Sequence, residues 1–166
     1  LPLCIDSADP VVIDCALRLY PGRALVNSLS PEKKRLPALK AVQKYGAAFI
    51  LLPLDDHGIP ETLAGRIRLA ELFLEQCAQN NIEHERILLD GLAMTIATRQ
   101  ENARLTLELI RYASANKLHS VIGLSNISFG LPGRNFINST FLSMTVANGL
   151  DFVIANPADQ VLFNTC

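Results

Sequence analysis

The stretch Gly123-Leu124-Ser125-Asn126-Ile127-Ser128-Phe129-Gly130-Leu131-Pro132-Gly133-Arg134 carries an apolar run into a polar loop and the loop into a helix. Residues 121–124 read as a buried parallel strand, because a short aliphatic run without polar alternation needs cover on both faces. Downstream, Phe136, Ile137, Phe141 and Leu142 recur at helical spacing, and Asn148-Gly149 ends that helix. Asn126 therefore falls at the C-terminal end of a strand, where α/β proteins assemble their sites.

The same grammar repeats on either side. Leu3, Cys4 and Ile5 run into Asp6-Ser7, and Asp9-Pro10 caps and opens a helix reaching Tyr20, which Pro21-Gly22 stops. Ala24-Leu25-Val26 runs into Asn27-Ser28. Ser30-Pro31-Glu32 is expected to open the next helix, kinked at Pro37 and ended at Gly46. Residues 47–54 form the next apolar run, followed by the loop Asp55-Asp56-His57-Gly58-Ile59-Pro60 and an amphipathic helix to about residue 79. Ile87-Leu88-Leu89 runs into Asp90-Gly91, and a helix follows through Leu105, Leu107, Ile110 and Ala113. A last strand, Phe152-Val153-Ile154, leads to Asn156-Pro157.

Strands that alternate with helices at intervals of roughly 20 to 40 residues imply a parallel sheet with right-handed crossovers. A doubly wound sheet gathers its site at one switch point, usually behind a glycine-rich turn after the first strand. Here Asp6, Asn27, Asp90, Asn126 and Asn156 end nearly every strand. Polar residues on so many strand ends suit a (β/α)8 TIM barrel, whose site is built around the ring of C-terminal ends. A closed barrel needs eight strands in about 250 residues; six units are visible, so an incomplete barrel segment is expected.

Composition narrows the function. The 166 residues are 49% hydrophobic, enough for one well-packed domain, and the net charge of -1 supplies no basic face for nucleic acid or an anionic membrane. The apolar run 47–54 is far short of the roughly 20 residues that span a bilayer, and no signal-peptide pattern opens the sequence, so a cytoplasmic protein is expected. Cys4, Cys15, Cys77 and Cys166 form no C-x-x-C pair and are expected to be mostly buried, reduced thiols. Asn126-Ile127-Ser128 and Asn138-Ser139-Thr140 match a glycosylation pattern, but nothing signals secretion.

The run from Gly123 to Arg134, with Ile137-Asn138-Ser139-Thr140-Phe141-Leu142 and Gly149-Leu150-Asp151 downstream, resembles the pterin-binding methyltransferases that use methyltetrahydrofolate and a corrinoid protein. That family is related to the folate domain of cobalamin-dependent methionine synthase. The resemblance implies that the segment holds barrel units 3 to 8, with the first two units and the closing helix outside it. It also implies tetrahydrofolate as substrate, a corrinoid carried by a partner protein, no bound metal of its own, and a homodimer.

A reduced pterin presents N–H donors from its 2-amino group and N3 beside a C4 carbonyl, so its site needs carboxylate acceptors and an amide donor. The positions that match the family's pterin contacts are Asp6, Asn27 and Asp90, with Gly123 beside them. For each acidic or amide residue alone, a helix cap or turn is the competing reading. Asn126 matches the family asparagine that approaches N5, the atom that bears the methyl group; its competing reading is a loop amide bonded to its own backbone. Arg134 matches a family arginine, and either contacts the charged tail of the substrate or ties the loop to the helix.

Two rival functions remain within the fold. Dihydropteroate synthase shares the barrel and the pterin aspartates but handles a pyrophosphate, which calls for cations. Its Ser-Arg-Lys is replaced here by Ser125-Asn126-Ile127, and the loop after Asp90 lacks lysine. The other rival is a non-catalytic pterin-binding module of a larger corrinoid-dependent protein. Asp55-Asp56-His57 begins like the D-x-H-x-x-G motif of corrinoid proteins, but Pro60 stands in the glycine position and the motif fails. His84 and His119 lack the nucleophile-elbow context of a hydrolase triad.

Overall fold

The computed structural model describes residues 2–165. Leu1 and Cys166, the latter one of the four thiols expected to be mostly buried, lie outside the described residues. The chain divides into two compact units, Leu1–Leu89 and Asp90–Cys166.

The first unit contains β1 (Cys4–Asp6), α1 (Pro10–Leu19), β2 (Leu25–Leu29), α2 (Ala38–Tyr45), β3 (Ala48–Leu51), α3 (Leu63–Gln79) and most of β4 (Ile87–Asp90). These four strands are all parallel and pair in sequence order. Val26, Phe49, Ile50 and Leu51 are fully buried, as expected of strands covered on both faces. Helix α1 buries only Ile13 and Leu17, four residues apart on one face. Phe73 of α3 meets Phe49 of β3 edge to face, with ring centroids 6.2 Å apart. Arg86 is buried, yet its guanidinium donates to the Val42 carbonyl at the end of α2 and to the Ala47 carbonyl before β3, so the charge is solvated by main-chain oxygens.

The second unit takes the end of β4 into α4 (Glu101–Ala115), β5 (His119–Gly123), α5 (Arg134–Ala147), β6 (Phe152–Ile154) and the single turn α6 (Gln160–Phe163). Gly91 N–H, just past β4, donates to the Val121 carbonyl of β5 at 2.9 Å, and β5 pairs β6 in parallel. Strand follows strand in the order β1-β2-β3-β4-β5-β6, as the repeating sequence grammar predicts. Ile110, Ile122, Leu124, Ile127, Phe141 and Leu142 form the core of this unit.

Three expectations change. Pro37 does not kink a helix: residues 33–37 are a run of turns, and α2 begins only at Ala38, because a proline without an N–H is tolerated before a helix and not inside it. Gly46 does end α2, in the left-handed conformation. The apolar run 47–54 supplies only the four strand residues of β3, and Pro53 lies beyond pairing. The thiols are not mostly buried. Cys77 is, and desolvation pushes it up to about 12, but Cys4 lies on the edge strand β1, Cys15 falls on the outer face of α1, and both are exposed.

Gly91 joins β4 to the loop at a point of close approach. A Cβ there would sit 2.9 Å from Ile122 Cγ2, 3.2 Å from Ile110 Cγ1 and 3.3 Å from Thr106 Cγ2. Gly91→Ala is predicted to destabilise the chain by about 1–3 kcal/mol, the usual cost of overpacking a filled core. Urea unfolding checks it, and an unchanged midpoint would mean that the β4–β5 junction has room.

Candidate functional site

In the first unit, parallel pairing sets Asp6, the last residue of β1, opposite Asn27. Asn27 is not at a strand end as expected: β2 runs on through Ser28 to Leu29, so the amide leaves the strand from its middle. Ser7 N–H fixes that register by donating to the Asn27 carbonyl at 2.9 Å. The Asn27 and Asp6 side chains make no hydrogen bond to other described residues. Neither is a cap: the exposed Asp6 carboxylate and the half-buried Asn27 amide keep their bonding capacity unspent. β2 bulges between Asn27 and Leu29, a device that re-aims side chains within a strand.

The other ends of this unit take the competing reading. Asp9 caps α1 by accepting from Val11 N–H at 2.8 Å. Asp55 Oδ1 accepts from His57 N–H at 2.9 Å, inside a turn closed by Asp55 and Gly58, and His57 is exposed.

In the second unit, Asp90 closes β4. One carboxylate oxygen accepts the Leu92 N–H at 2.7 Å. Burial pushes the Asp90 carboxyl up to about 6, and the bond from Leu92 opposes that shift without cancelling it. A desolvated carboxylate with spare acceptor sites is primed for a ligand that brings N–H donors.

β5 ends at Gly123, and residues 124–126 form one 3₁₀ turn. Asn126 is therefore not on the strand itself but one turn beyond it, on an exposed position. Its amide folds back over Gly123: a Cβ on residue 123 would lie 3.2 Å from Asn126 Nδ2. Gly123 thus makes room for the amide. The Asn126 side chain makes no hydrogen bond to described residues, which removes the self-bonded loop reading.

Arg134, the first residue of α5, reaches back across this loop. Its Nη2 donates to the Ser125 carbonyl at 2.8 Å and its Nε to Ser128 Oγ at 3.0 Å. Two of its nitrogens are thereby committed to tying loop to helix. The loop after Asp90 is laced to the same turn, with Ile96 N–H donating to the Ile127 carbonyl and Asn102 Nδ2 to the Thr95 carbonyl. Asn156 caps its own turn by accepting from Ala158 N–H.

Gly91 at the end of β4, Ser128 beside Asn126, and Arg35, whose Nη1 donates to the Ser28 carbonyl and Oγ next to Asn27, support these residues without a signal in the sequence. Ser128 is fully buried and looks like any polar loop residue in the string. Among the described residues, no three His, Cys, Asp or Glu side chains gather as a metal site. No helix among them is long and apolar enough to cross a membrane.

Residues 1–156 match the family model described as pterin binding enzyme. The chain belongs to the pterin-binding enzyme family. It is 30% identical over 165 residues to the methylcorrinoid:tetrahydrofolate methyltransferase of Eubacterium limosum, covering 96% of this chain and 60% of that protein. It is 33% identical over 177 residues to the methionine synthase of Mycobacterium tuberculosis, covering 98% of this chain and 15% of that one. The chain thus spans about three fifths of the first relative's length and a small part of the second's.

Solved structures carry the fold. The dihydropteroate synthase of Xanthomonas albilineans, in complex with 7,8-dihydropteroate, superposes with a TM-score of 0.79 at 16% identity, over 99% of this chain and 64% of that one. The Yersinia pestis dihydropteroate synthase gives 0.78 at 19%, over 100% and 70%. At such identity the likeness establishes architecture alone: a partial TIM barrel of six parallel β/α units.

The raised Asp90 value fixes a pH dependence. Between about pH 4 and 6 the folded chain holds a proton that the unfolded chain has released, so this group favours folding at acid pH and that contribution is lost as pH rises through about 6. Asp90→Asn keeps an acceptor for Leu92 N–H and removes the charge. In urea unfolding it should exceed the native chain in stability at pH 7.5 and come close to it at pH 4. A stability difference that does not change with pH would place the Asp90 carboxyl in water.

Proposed function

We propose that this chain binds the pterin ring of methyltetrahydrofolate and supports methyl transfer between N5 of that ring and the cobalt of a corrinoid carried by a separate protein. The observation that carries the reading is the Asn126 amide, unbonded, held over a glycine at the end of β5 in a chain whose pterin-binding relatives include a methylcorrinoid:tetrahydrofolate methyltransferase. Asp6, Asn27 and Asp90 are the proposed ring contacts, Asp6 and Asp90 as the last residues of β1 and β4 and Asn27 within β2, with Gly123 proposed beside Asn126. A homodimer is the proposed assembly, with sedimentation as its check.

Asp90 and Asp6 can accept the N–H donors of the pterin edge, and Asn27 can pair with the carbonyl. The attacking cobalt takes the methyl carbon while N5 keeps the bonding electron pair. A tertiary amine is a poor leaving group, so N5 must gain a proton at or before the transition state. An amide accepts from a protonated N5 and donates to an unprotonated one without titrating itself. Asn126 therefore suits both states, in whichever direction the methyl moves.

The synthase reading has the fold neighbours behind it. It asks for cations to stabilise a diphosphate leaving group, and the loop after Asp90 has no lysine while Arg134 spends two nitrogens on its own loop.

Methyl exchange between methyltetrahydrofolate and free cob(I)alamin, with the complete protein, separates the readings. Exchange is expected. Binding without exchange would make it a pterin-binding module, and condensation with para-aminobenzoate would make it a synthase. Asn126→Ala is predicted to slow transfer at saturating methyltetrahydrofolate by about 10- to 1000-fold, with a smaller change in affinity, as when a pre-positioned hydrogen bond to developing charge is lost. A saturated rate equal to the native one, with affinity alone reduced, would reassign Asn126 to binding.

A further inference from the structure

Both asparagines proposed to face the pterin are followed by the same arrangement, once in each unit. Beyond Asn27, Arg35 Nη1 donates to the Ser28 carbonyl at 3.2 Å and to Ser28 Oγ at 3.1 Å. Its Nε lies 2.6 Å from Glu32 Oε2, and that oxygen also accepts from Ser30 Oγ at 2.9 Å. Beyond Asn126, Arg134 makes its two bonds to the Ser125 carbonyl and to Ser128 Oγ, and Ser128 Oγ points in turn at the Ser125 carbonyl at 3.3 Å. In each case a guanidinium eight residues after the asparagine takes one backbone carbonyl and one serine hydroxyl from the segment that bears it.

This is more than a loop needs merely to stay folded. Ordering an arginine sacrifices about 2 kcal/mol of rotamer entropy, and a rigid planar fork bonded at two points fixes the orientation of a peptide as well as its position. The Ser125 carbonyl belongs to the peptide that leads into Asn126, and Ser28 directly follows Asn27. The groups being oriented are the two amides that have no bonds of their own.

We infer that Arg134 and Arg35 are positioning residues, Arg134 setting the Asn126 amide for the N5 step and Arg35 setting the Asn27 amide for pterin affinity. This rests on the methyltransferase reading above. It replaces the tail-contact reading of Arg134, whose Nε and Nη2 are already engaged.

The test is a pair of double-mutant cycles in the complete protein. The rate cycle joins Arg134→Ala to Asn126→Ala, read as single-turnover methyl transfer to cob(I)alamin at saturating substrate. It uses methyltetrahydrofolate and, separately, a 5-methyltetrahydropterin without the aminobenzoylglutamate tail. The affinity cycle joins Arg35→Ala to Asn27→Ala, read as the Kd for tetrahydrofolate by calorimetry. Arg134→Ala should slow transfer by about 5- to 50-fold with both substrates, move affinity less than about twofold, and have no further effect once Asn126 is gone. Ser128→Ala, a milder change in the same clamp, should follow it in direction. Arg35→Ala should weaken binding by about 5- to 20-fold, leave the saturated rate within about twofold, and add nothing to Asn27→Ala. Lysine at either position should restore only part of the loss, since a point charge cannot reproduce the fork.

A loss confined to affinity for the tailed substrate would make Arg134 a tail contact. Additive effects in either cycle would show that the arginine does not act through its asparagine. Equal losses of rate and affinity in both arginine variants, together with lowered melting temperatures, would reduce both to structural supports. If the native protein binds tetrahydrofolate but transfers no methyl group, the functional reading falls and takes the Arg134 half with it, while the affinity cycle still decides the Arg35 half.

Discussion

Asp90 holds a half-buried carboxylate at the end of β4, and the turn that follows it is shaped by that group. Removing a charged group from water costs several kcal/mol unless bonds replace its hydration, and here a single N–H from Leu92 does so. The remaining deficit appears as a carboxyl pushed up to about 6. A loop can hold such a group only if it turns sharply and immediately. Gly91 allows the turn because Ile110, Ile122 and Thr106 leave no space for a Cβ, and Leu92 completes it at φ 51°, with its carbonyl taken by Thr106 Oγ1. The Leu92 bond offsets only part of the penalty; under the proposed reading a ligand that brings donors to Asp90 recovers the rest as binding energy.

The strand ends divide their labour in a consistent way. Residues proposed to meet substrate, namely Asp6, Asn27 and Asn126, make no side-chain hydrogen bonds to the described residues. Their neighbours make many: Arg35 with Ser28, beside a Glu32 that pairs with it and accepts from Ser30, and Arg134 with Ser125 and Ser128. Leaving polar groups unspent is tolerable only at exposed or half-buried ends, which is where a parallel sheet puts them. Supporting them with charge-assisted bonds keeps them aimed before a ligand arrives, and preorganised groups lose less entropy on binding.

How far this could be read from the string depends on how local each feature is. The six strands were legible because each holds a short apolar run with a polar residue or glycine in or soon after it, though β2 runs past Asn27 to Leu29 and β3 stops at Leu51, and the helices because Ile13 with Leu17, or Leu105 with Leu109, repeat at helical spacing. Pro37 misled, since its sequence neighbours do not say whether it lies inside a helix or just before one. The clamps were not legible. Arg134 bonds Ser128 only because a 3₁₀ turn brings residues 125–128 back toward the start of α5, and the crowding at Gly91 comes from α4 and β5. Asn126 could be marked by its motif, but its unbonded amide and the role of Gly123 beneath it are facts of three dimensions. The exposed thiols of Cys4 and Cys15 missed expectation for a similar reason: residue type favours burial, but which face of a strand or helix is covered decides it.

The central claim is that strand-end groups held in these orientations receive a reduced pterin, its donor edge on Asp90 and its N5 at Asn126. A crystal structure of the complete protein with methyltetrahydrofolate tests it most directly. The account predicts the 2-amino or N3 nitrogen at about 2.7–3.2 Å from an Asp90 oxygen and N5 at a similar distance from the Asn126 amide. A pterin seated away from both residues, or bound with its N5 turned to the opposite side from Asn126, would contradict it.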